Sequence, residues 1–362
     1  KLIDAVKIRL RSDVPLGFCM SGGVDSNSII AIAKRLFNYD VEGFTIVNTD
    51  HRYEEKTIID QVVKELNLAH CEVYLSKGNF LENLRALIKH HDAPVYTITY
   101  YVHWLLLKSF KQKGYKISLS GTAADELFSG YYDHHNFYFA GIQNNHDRYK
   151  EAVKQWRNDI GKIVRNPYLQ DPDIFIKKPY ERGHITLGQE QLLNYFNHPD
   201  HAVISDKFYT DRILRNRMLN EIFYETIPVI LHEDDANAMY YSIENRSPFL
   251  DRHLFEHAVS IPDEYLIQNG VAKYILREAM RGIVPDIVLD QKRKTGFNAP
   301  IEDLIDTDDP KIKEQLLSDG PVWDILNKTM IEKHLSFKNL PNSMSKFLFS
   351  FISVKLFLEE YA

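Results

Sequence analysis

An apolar run, Val14 to Met20, breaks at Ser21-Gly22-Gly23-Val24-Asp25-Ser26 and is followed by a helix-like run, Asn27 to Phe37. A strand that turns through two glycines into a helix predicts a pyrophosphate-binding loop. Adjacent glycines accept crowded or left-handed backbone, so the N–H groups of the turn and of the helix start can point at an anion. Ser21 and Ser26 add short hydroxyl donors. Asp25 is the odd member, because a carboxylate beside a phosphate repels it unless a divalent cation lies between them; the loop therefore asks for Mg2+ as well as a nucleotide. Gly, Ser and Asp are also what ordinary turns use, so the surrounding sequence has to support this reading. The loop lacks the lysine and spacing of a Walker A motif and is not GxGxxG, so neither an ordinary P-loop NTPase nor a dinucleotide dehydrogenase is indicated.

The first third of the chain alternates. Apolar segments near 14–20, 41–48, 70–75 and 116–120 predict strands, and the stretches 26–37, 54–67, 79–90 and 98–113 predict helices. This pattern implies an α/β fold, a parallel sheet with helices on both faces. Ligands of such sheets bind outside the carboxyl ends of the strands, where both Ser21 to Ser26 and Ser120 to Gly130 fall. From about Asp133 the texture changes to long helical stretches, which divides the chain into a nucleotide-binding core, 1–132, and a mainly helical C-terminal extension, 133–362. Asn166 to Arg182, rich in Pro, Asp and Lys, is expected to be an exposed connection. The aromatic clusters Tyr131-Tyr132 and Phe137-Tyr138-Phe139 are expected in the core.

Composition narrows the partners. With 362 residues the chain can bury a full core, and 44 basic against 50 acidic side chains give a net charge of −6, which argues against a general nucleic-acid binder. Cys19 and Cys71 form neither a metal-ligand spacing nor a disulfide framework, which fits a reducing, cytoplasmic setting. The pairs His90-His91 and His134-His135 match no zinc pattern and are expected to be solvated or locally hydrogen-bonded. No apolar run approaches a membrane span, and Lys1 to Val6 is an amphipathic helix rather than a signal sequence. The absence of an initiating Met suggests that residues precede Lys1.

Three further segments carry chemistry. Leu119-Ser120-Gly121-Thr122-Ala123-Ala124-Asp125-Glu126 follows a strand, and although an Asp there could simply cap a helix, pairing with Asp25 gives two carboxylates that can hold Mg2+ against a triphosphate. Tyr241 to Asp251 contains Glu244, Arg246 and Pro248-Phe249-Leu250-Asp251. Lys273 to Arg277 is followed by Gln291-Lys292-Arg293-Lys294-Thr295-Gly296-Phe297. That charge run reads first as a solvated face, yet its Thr-Gly-Phe ending could aim one lysine inward to meet departing pyrophosphate.

The loop Ser21 to Ser26 resembles the SGGxDS loop of the ATP pyrophosphatases. The segments in this order resemble the synthetase domain of the glutamine-dependent asparagine synthetases, whose pattern runs DVPxGxxLSGGxDSS, LSGEGADExFGGY, ExRxPFLD and KxGF with a following Pro. Asp13-Val14-Pro15-Leu16-Gly17 with Ser21 to Ser26, Ser120 to Tyr131, Glu244 to Asp251, and Lys294 to Phe297 with Pro300 carry the match, which covers nearly the whole chain. The resemblance implies an adenine nucleotide alpha-hydrolase-like fold and an ATP- and Mg2+-dependent, AMP-forming amide synthesis. It implies that Ser21, Gly22, Gly23, Asp25 and Ser26 hold pyrophosphate, that Asp25 and Asp125 bind Mg2+, and that Ser120, Gly121 and the stretch Thr45 to Val47, with Ile46, lie near the adenosine. Lys294, Glu126, Glu244 and Arg246 are its implied catalytic residues. A small-molecule carboxylate is the implied substrate, with no nucleic acid or membrane partner, and the resemblance leaves room for a homodimer.

Two departures stand out. Complete enzymes of the family carry an N-terminal glutaminase domain that supplies ammonia, whereas this chain starts where the synthetase domain begins; that domain is expected to have been cut away, to be a separate polypeptide, or not to be needed. Thr122 stands where the pattern has Glu, a residue of the acceptor and ammonia site. Aspartate is therefore one expected substrate among others, which include a sugar carboxylate of a surface polysaccharide and an intramolecular amide as in β-lactam or lasso-peptide closure. A catalytically silent nucleotide-binding homologue is the remaining alternative, opposed by the intact Asp25, Asp125 and Lys294.

Overall fold

The computed structural model describes residues 1–47, 55–185, 192–200, 204–293, 299–337 and 340–362. Five parallel strands form the central sheet: β1 (Leu16–Cys19), β2 (Glu42–Val47), β3 (Ala69–Tyr74), β4 (Ile117–Leu119) and β5 (Glu244–Arg246), in the order β3-β2-β1-β4-β5. The chain runs outward from β1 to β3 and then crosses back to lay β4 on the other side of β1, with Phe18 paired to Gly43 on one flank and to Leu119 on the other. That reversal opens a crevice above β1 and β4, the place where open α/β sheets bind ligands.

Both faces of the sheet are covered over β1, β2 and β4, which is why these strands read as apolar runs, whereas the edge strand β3 is only partly buried and carries His70 and Glu72. On one face Leu16, Phe18 and Met20 join Ile29, Ile30, Val62 and the aromatic residues of helix Tyr132–Ile142 in one core. On the other, Phe44 and Ile46 pack under helices Phe80–His91 and Ile98–Gln112, and the C-terminal helix Asn342–Tyr361 closes that side. Phe44 stacks on Phe110 with ring centroids 3.9 Å apart. Gly17 between them has no room for a side chain, since a Cβ would stand 2.8 Å from both rings. The amino-terminal helix, Leu2–Arg9, forms as its pattern predicts and buries Leu2, Ala5 and Val6.

Several expectations need correction. β5 lies within a segment that no strand pattern marked. A small hairpin, β6 (Ile267–Gln268) with β7 (Val271–Ala272), was likewise unmarked. The stretch Asn166 to Arg182 is not an exposed connection: Phe175 stacks on Phe137 at 3.8 Å, and Leu169, Phe175 and Arg182 are buried. Of the two readings of His134-His135, solvated or locally hydrogen-bonded, burial excludes the first, and the second holds for His134, whose Nδ1 accepts the Tyr131 N–H at 3.5 Å. His134 Nε2 pairs with Glu221 at 2.9 Å, while burial pushes the pKa of His135 down to about 3 and leaves it neutral.

No helix among the described residues is long and apolar enough to cross a membrane.

Candidate active site

The glycine loop after β1 is braced from within. The Ser21 N–H donates to Ser26 Oγ at 3.2 Å, the Gly23 N–H to Ser21 Oγ at 3.2 Å, and the two hydroxyls lie 3.0 Å apart. Asn27, fully buried one residue beyond the motif, donates from Nδ2 to the carbonyls of Ser21 and Gly23 at 2.8 and 2.7 Å. These bonds hold the turn open, so that Ser21, Gly22 and Gly23 line a cleft of about 110 Å3.

The loop after β4 meets it there. Gly121 packs so tightly that a Cβ would stand 2.9 Å from Asp25 Cβ and 3.0 Å from the Ser26 backbone nitrogen. Gly121→Ala should therefore push the two loops apart and lower pyrophosphate release from ATP at least about tenfold, a barrier change of about 1.4 kcal/mol. Steady-state kinetics check this; an alanine variant with wild-type kcat would show that the contact does not position Asp25. Beyond Gly121 the backbone turns sharply: Ala123 and Ser129, both standing where the family pattern has Gly, adopt left-handed φ values of 77° and 63°, a conformation that side chains resist. This turn sets Asp125 on the short helix Ala124–Phe128, facing the cleft.

Asp25 and Asp125 converge on one cation. Lys273, directly after the hairpin and itself left-handed at φ 56°, places Nζ at 2.6 and 2.5 Å from the two oxygens of Asp25 and 2.6 Å from Asp125 Oδ1. Its burial works against the charge, but the carboxylates of Asp125 and Asp25 hold its pKa above the ordinary lysine value. Gly130 makes room, since a Cβ there would fall on the Asp125 carboxylate and the Lys273 stem. Arg277, one turn on, also lines the cleft and is held by the carbonyls of Ala272, Val288 and Leu289 at 2.8–3.2 Å. Two carboxylates that can share one point charge are hard oxygen donors suited to Mg2+, so the residues present fit that ion. Lys273 was noticed in the sequence only as the first residue of the segment Lys273 to Arg277, without a role.

The remaining predicted residues are distributed differently. Ser120 Oγ lies 2.9 Å from Thr122 Oγ1 and 3.3 Å from Ser247 Oγ, a short row of hydroxyls above β4 and β5. Thr45 donates from Oγ1 to Met20 O at 3.0 Å, and Ile46 is buried in the core below. Glu126 is 1% exposed and does not line the cleft; Tyr131 donates its hydroxyl to it at 2.5 Å, and burial with the charge of Asp125 pushes its pKa up to about 7. Glu244 and Arg246 pair with each other at 2.8 Å on the edge strand, and Arg246 donates to the carbonyls of Arg9 and Arg11 at 2.8 and 2.9 Å, tying down the amino-terminal helix rather than facing Asp25. Lys294 lies outside the described residues. Lys292, its neighbour in the charge run, is half exposed and pairs with Asp159 at 2.7 Å.

A second, more open cavity of about 590 Å3 adjoins the hydroxyl row through Ser247 and is lined by Asp234 and Asp235 from helix Ile227–Tyr240. Asp234 sits 3.2 Å from His103 Nδ1, and its burial raises its pKa although His103 opposes the shift. Glu233, beside it, is turned toward His91 at 3.6 Å. A third group, Asp133, His134 and Glu221, has the spacing of metal ligands. Arg217 already stands 3.1 Å from Glu221 and 3.7 Å from Asp133, and the His134 ring bonds Glu221, so these acids are neutralised by protein cations.

The family model described as asparagine synthase matches residues 1–358. Glutamine-hydrolyzing asparagine synthetase 1 of Bacillus subtilis (strain 168) is 29% identical over 319 residues, which cover 83% of this chain and 49% of that relative. A putative glutamine-hydrolyzing asparagine synthetase of Mycobacterium tuberculosis (strain ATCC 25618 / H37Rv) is 27% identical over 317 residues, 83% of this chain and 47% of the relative. The amidase chyE of Penicillium rubens is 22% identical over 344 residues, covering 81% and 51%. The chain thus spans about half the length of the curated relatives it matches. With a glycine loop and two convergent aspartates at the switch point of a parallel sheet, and with one family model matched from the first residue to residue 358, the chain belongs to the asparagine synthase family.

Proposed function

We propose that this chain forms an amide by adenylation. A carboxylate oxygen attacks the α-phosphorus of ATP, the bond to the bridging oxygen breaks and pyrophosphate leaves; a nitrogen nucleophile then adds to the acyl carbon, loses a proton and expels AMP. The observation that carries this reading is the convergence of Asp25 and Asp125 on one shared cation beside the N–H groups of the glycine loop. Mg2+ held by these two carboxylates would neutralise phosphate oxygens and favour departure of the leaving group. The chain's own residues do the rest. Ser21, Gly22, Gly23 and Ser26 are assigned to the pyrophosphate half, whose oxygens would replace the acceptors that the loop N–H groups have within the chain, while Lys273 and Arg277 on the opposite wall meet the charge that develops as it departs. Lys294 is assigned the same task by its place in the KxGF pattern. Ser120, Gly121 and Ile46 are assigned to the adenosine side, and Glu126, Glu244 and Arg246 to the support of the loops and the sheet edge.

Asparagine formation from aspartate is the reading that the family supports first, with glutamine as a nitrogen source through a glutaminase domain or subunit, as the relatives' names indicate for those proteins. Thr122 favours a second reading. Its hydroxyl is engaged by Ser120 and cannot serve as a base near neutral pH, and the cavity lined by Asp234 and Asp235 is far larger than ammonia requires. A carboxylate other than aspartate, or an organic amine, follows from that difference.

Pyrophosphate release measured with aspartate, sugar acids and amino-acid derivatives in turn separates the two. The expected result is slow asparagine formation by the unmodified chain, with ATP binding retained, and a rise of about tenfold or more in Thr122→Glu. Asparagine formation by the unmodified chain at about 1 per second, an ordinary enzymatic rate, would make Thr122 a tolerated variation and restore aspartate as the substrate.

A further inference from the structure

Glu55, which no sequence motif singled out, faces the same loop. Its Oε2 accepts the Gly22 N–H at 3.0 Å, and the residue lines the cleft beside Asp25 and Asp125. The approach depends on Gly22, because a Cβ there would stand 3.1–3.2 Å from the Glu55 side chain. Chemically, this carboxylate oxygen stands in for a phosphate oxygen: a loop N–H suited to an anion is satisfied by an acid of the chain itself. The three carboxylates of the cleft therefore divide. Asp25 and Asp125 are turned to the ammonium of Lys273, whereas Glu55 is turned to the backbone donor of the loop.

We propose that Glu55 is an internal competitor for pyrophosphate. It holds the Gly22 N–H while the loop carries no phosphate, withdraws when the β- and γ-phosphates dock, and by returning shortens the stay of pyrophosphate after the α–β bond has broken. A loop of N–H and hydroxyl donors backed by Lys273 and Arg277 would otherwise retain a highly charged product. Glu55 touches the loop rather than the reacting atoms, so it is a positioning residue. The proposal rests on the pyrophosphate-loop reading above.

Isothermal titration of inorganic pyrophosphate into the unmodified chain, Glu55→Gln and Glu55→Ala, each with and without MgCl2, tests it. Glu55→Gln keeps the shape and removes the charge. The expected result is a Kd about tenfold lower in both variants, equivalent to about 1.4 kcal/mol, with unchanged melting temperature in the absence of pyrophosphate. In turnover, the inhibition constant for pyrophosphate and the KM for ATP should fall together, and kcat should fall with them if product release limits the rate. An unchanged Kd would overturn the competitor role and leave the loop reading standing. A weaker Kd with a raised Mg2+ requirement would overturn it in favour of Glu55 as a metal ligand. Absence of pyrophosphate binding in all three proteins would remove the loop reading and the proposal with it.

Discussion

Asp25→Asn and Asp125→Asn should each lower pyrophosphate release by about two to three orders of magnitude, the range expected when one group that stabilises developing charge is removed, while both variants should fold. The two carboxylates reach the cleft from separate loops, after β1 and after β4, and neither belongs to an apolar core. An asparagine keeps the shape and one acceptor oxygen but loses the charge that a divalent cation requires. Folding tolerates the change because the cluster carries two negative charges against the single Lys273, so neutralising one carboxylate leaves a balanced pair and relieves repulsion between the two acids. A coupled assay of pyrophosphate release, with circular dichroism as the folding control, reads both halves. Release near the wild-type rate in both variants would remove Asp25 and Asp125 from the metal site.

Lys273→Met has the larger effect on stability. Lys273 is 6% exposed and its Nζ lies within 2.6 Å of both acids; removing it leaves two half-buried carboxylates uncompensated, at a cost of about 3 kcal/mol, the lower end of the range for breaking a buried ion pair. Methionine keeps the apolar stem, so the loss isolates the charge. Saturating Mg2+ should recover much of that stability by binding the folded state alone, about 2.7 kcal/mol at a hundredfold excess over Kd, and should stabilise the variant more than the unmodified chain, in which Lys273 competes for the same carboxylates. Turnover in Mg2+ should still fall about a hundredfold, since the cation opposite the loop is missing when pyrophosphate departs. Thermal melting with EDTA and with increasing MgCl2 measures the stability effect. Equal melting of the two proteins in EDTA would show that Lys273 does not hold the acids together.

Much of this architecture could be read from the residues. β1, β2 and β4 are short, mostly apolar runs because they are buried on two faces, and the helices between them show the matching periodicity, while β3, at the sheet edge, is only partly buried. β5 escaped because Glu244-Asn245-Arg246 contains no apolar residue. It is a strand by virtue of its ladder to β4 and of the Ser118–Asn245 side-chain bond, partners that lie more than a hundred residues away.

The site was legible to the same extent. Asp25 and Asp125 announce themselves through the glycines beside them, and the structure brings the two together. Lys273 does not, because it is placed by a left-handed turn after a two-stranded hairpin whose position is set by tertiary packing, with Gly270 at its tip so close to the Gln155 backbone that a Cβ there would stand 3.2 Å from it. Glu126 shares the motif with Asp125, but successive residues of a helix point in different directions, so one faces the cleft and the other is buried with Tyr131. Phe175 carried no local sign of burial amid its polar neighbours; its partner Phe137 lies 38 residues earlier in the chain.

The central claim is that this cleft cleaves ATP between the α and β phosphates. Phosphorus NMR of the chain with ATP, MgCl2 and an accepted carboxylate reads the bond directly. Growth of AMP and pyrophosphate in equal amounts, lost in Asp25→Asn, is the result predicted here; growth of ADP and inorganic phosphate would contradict it.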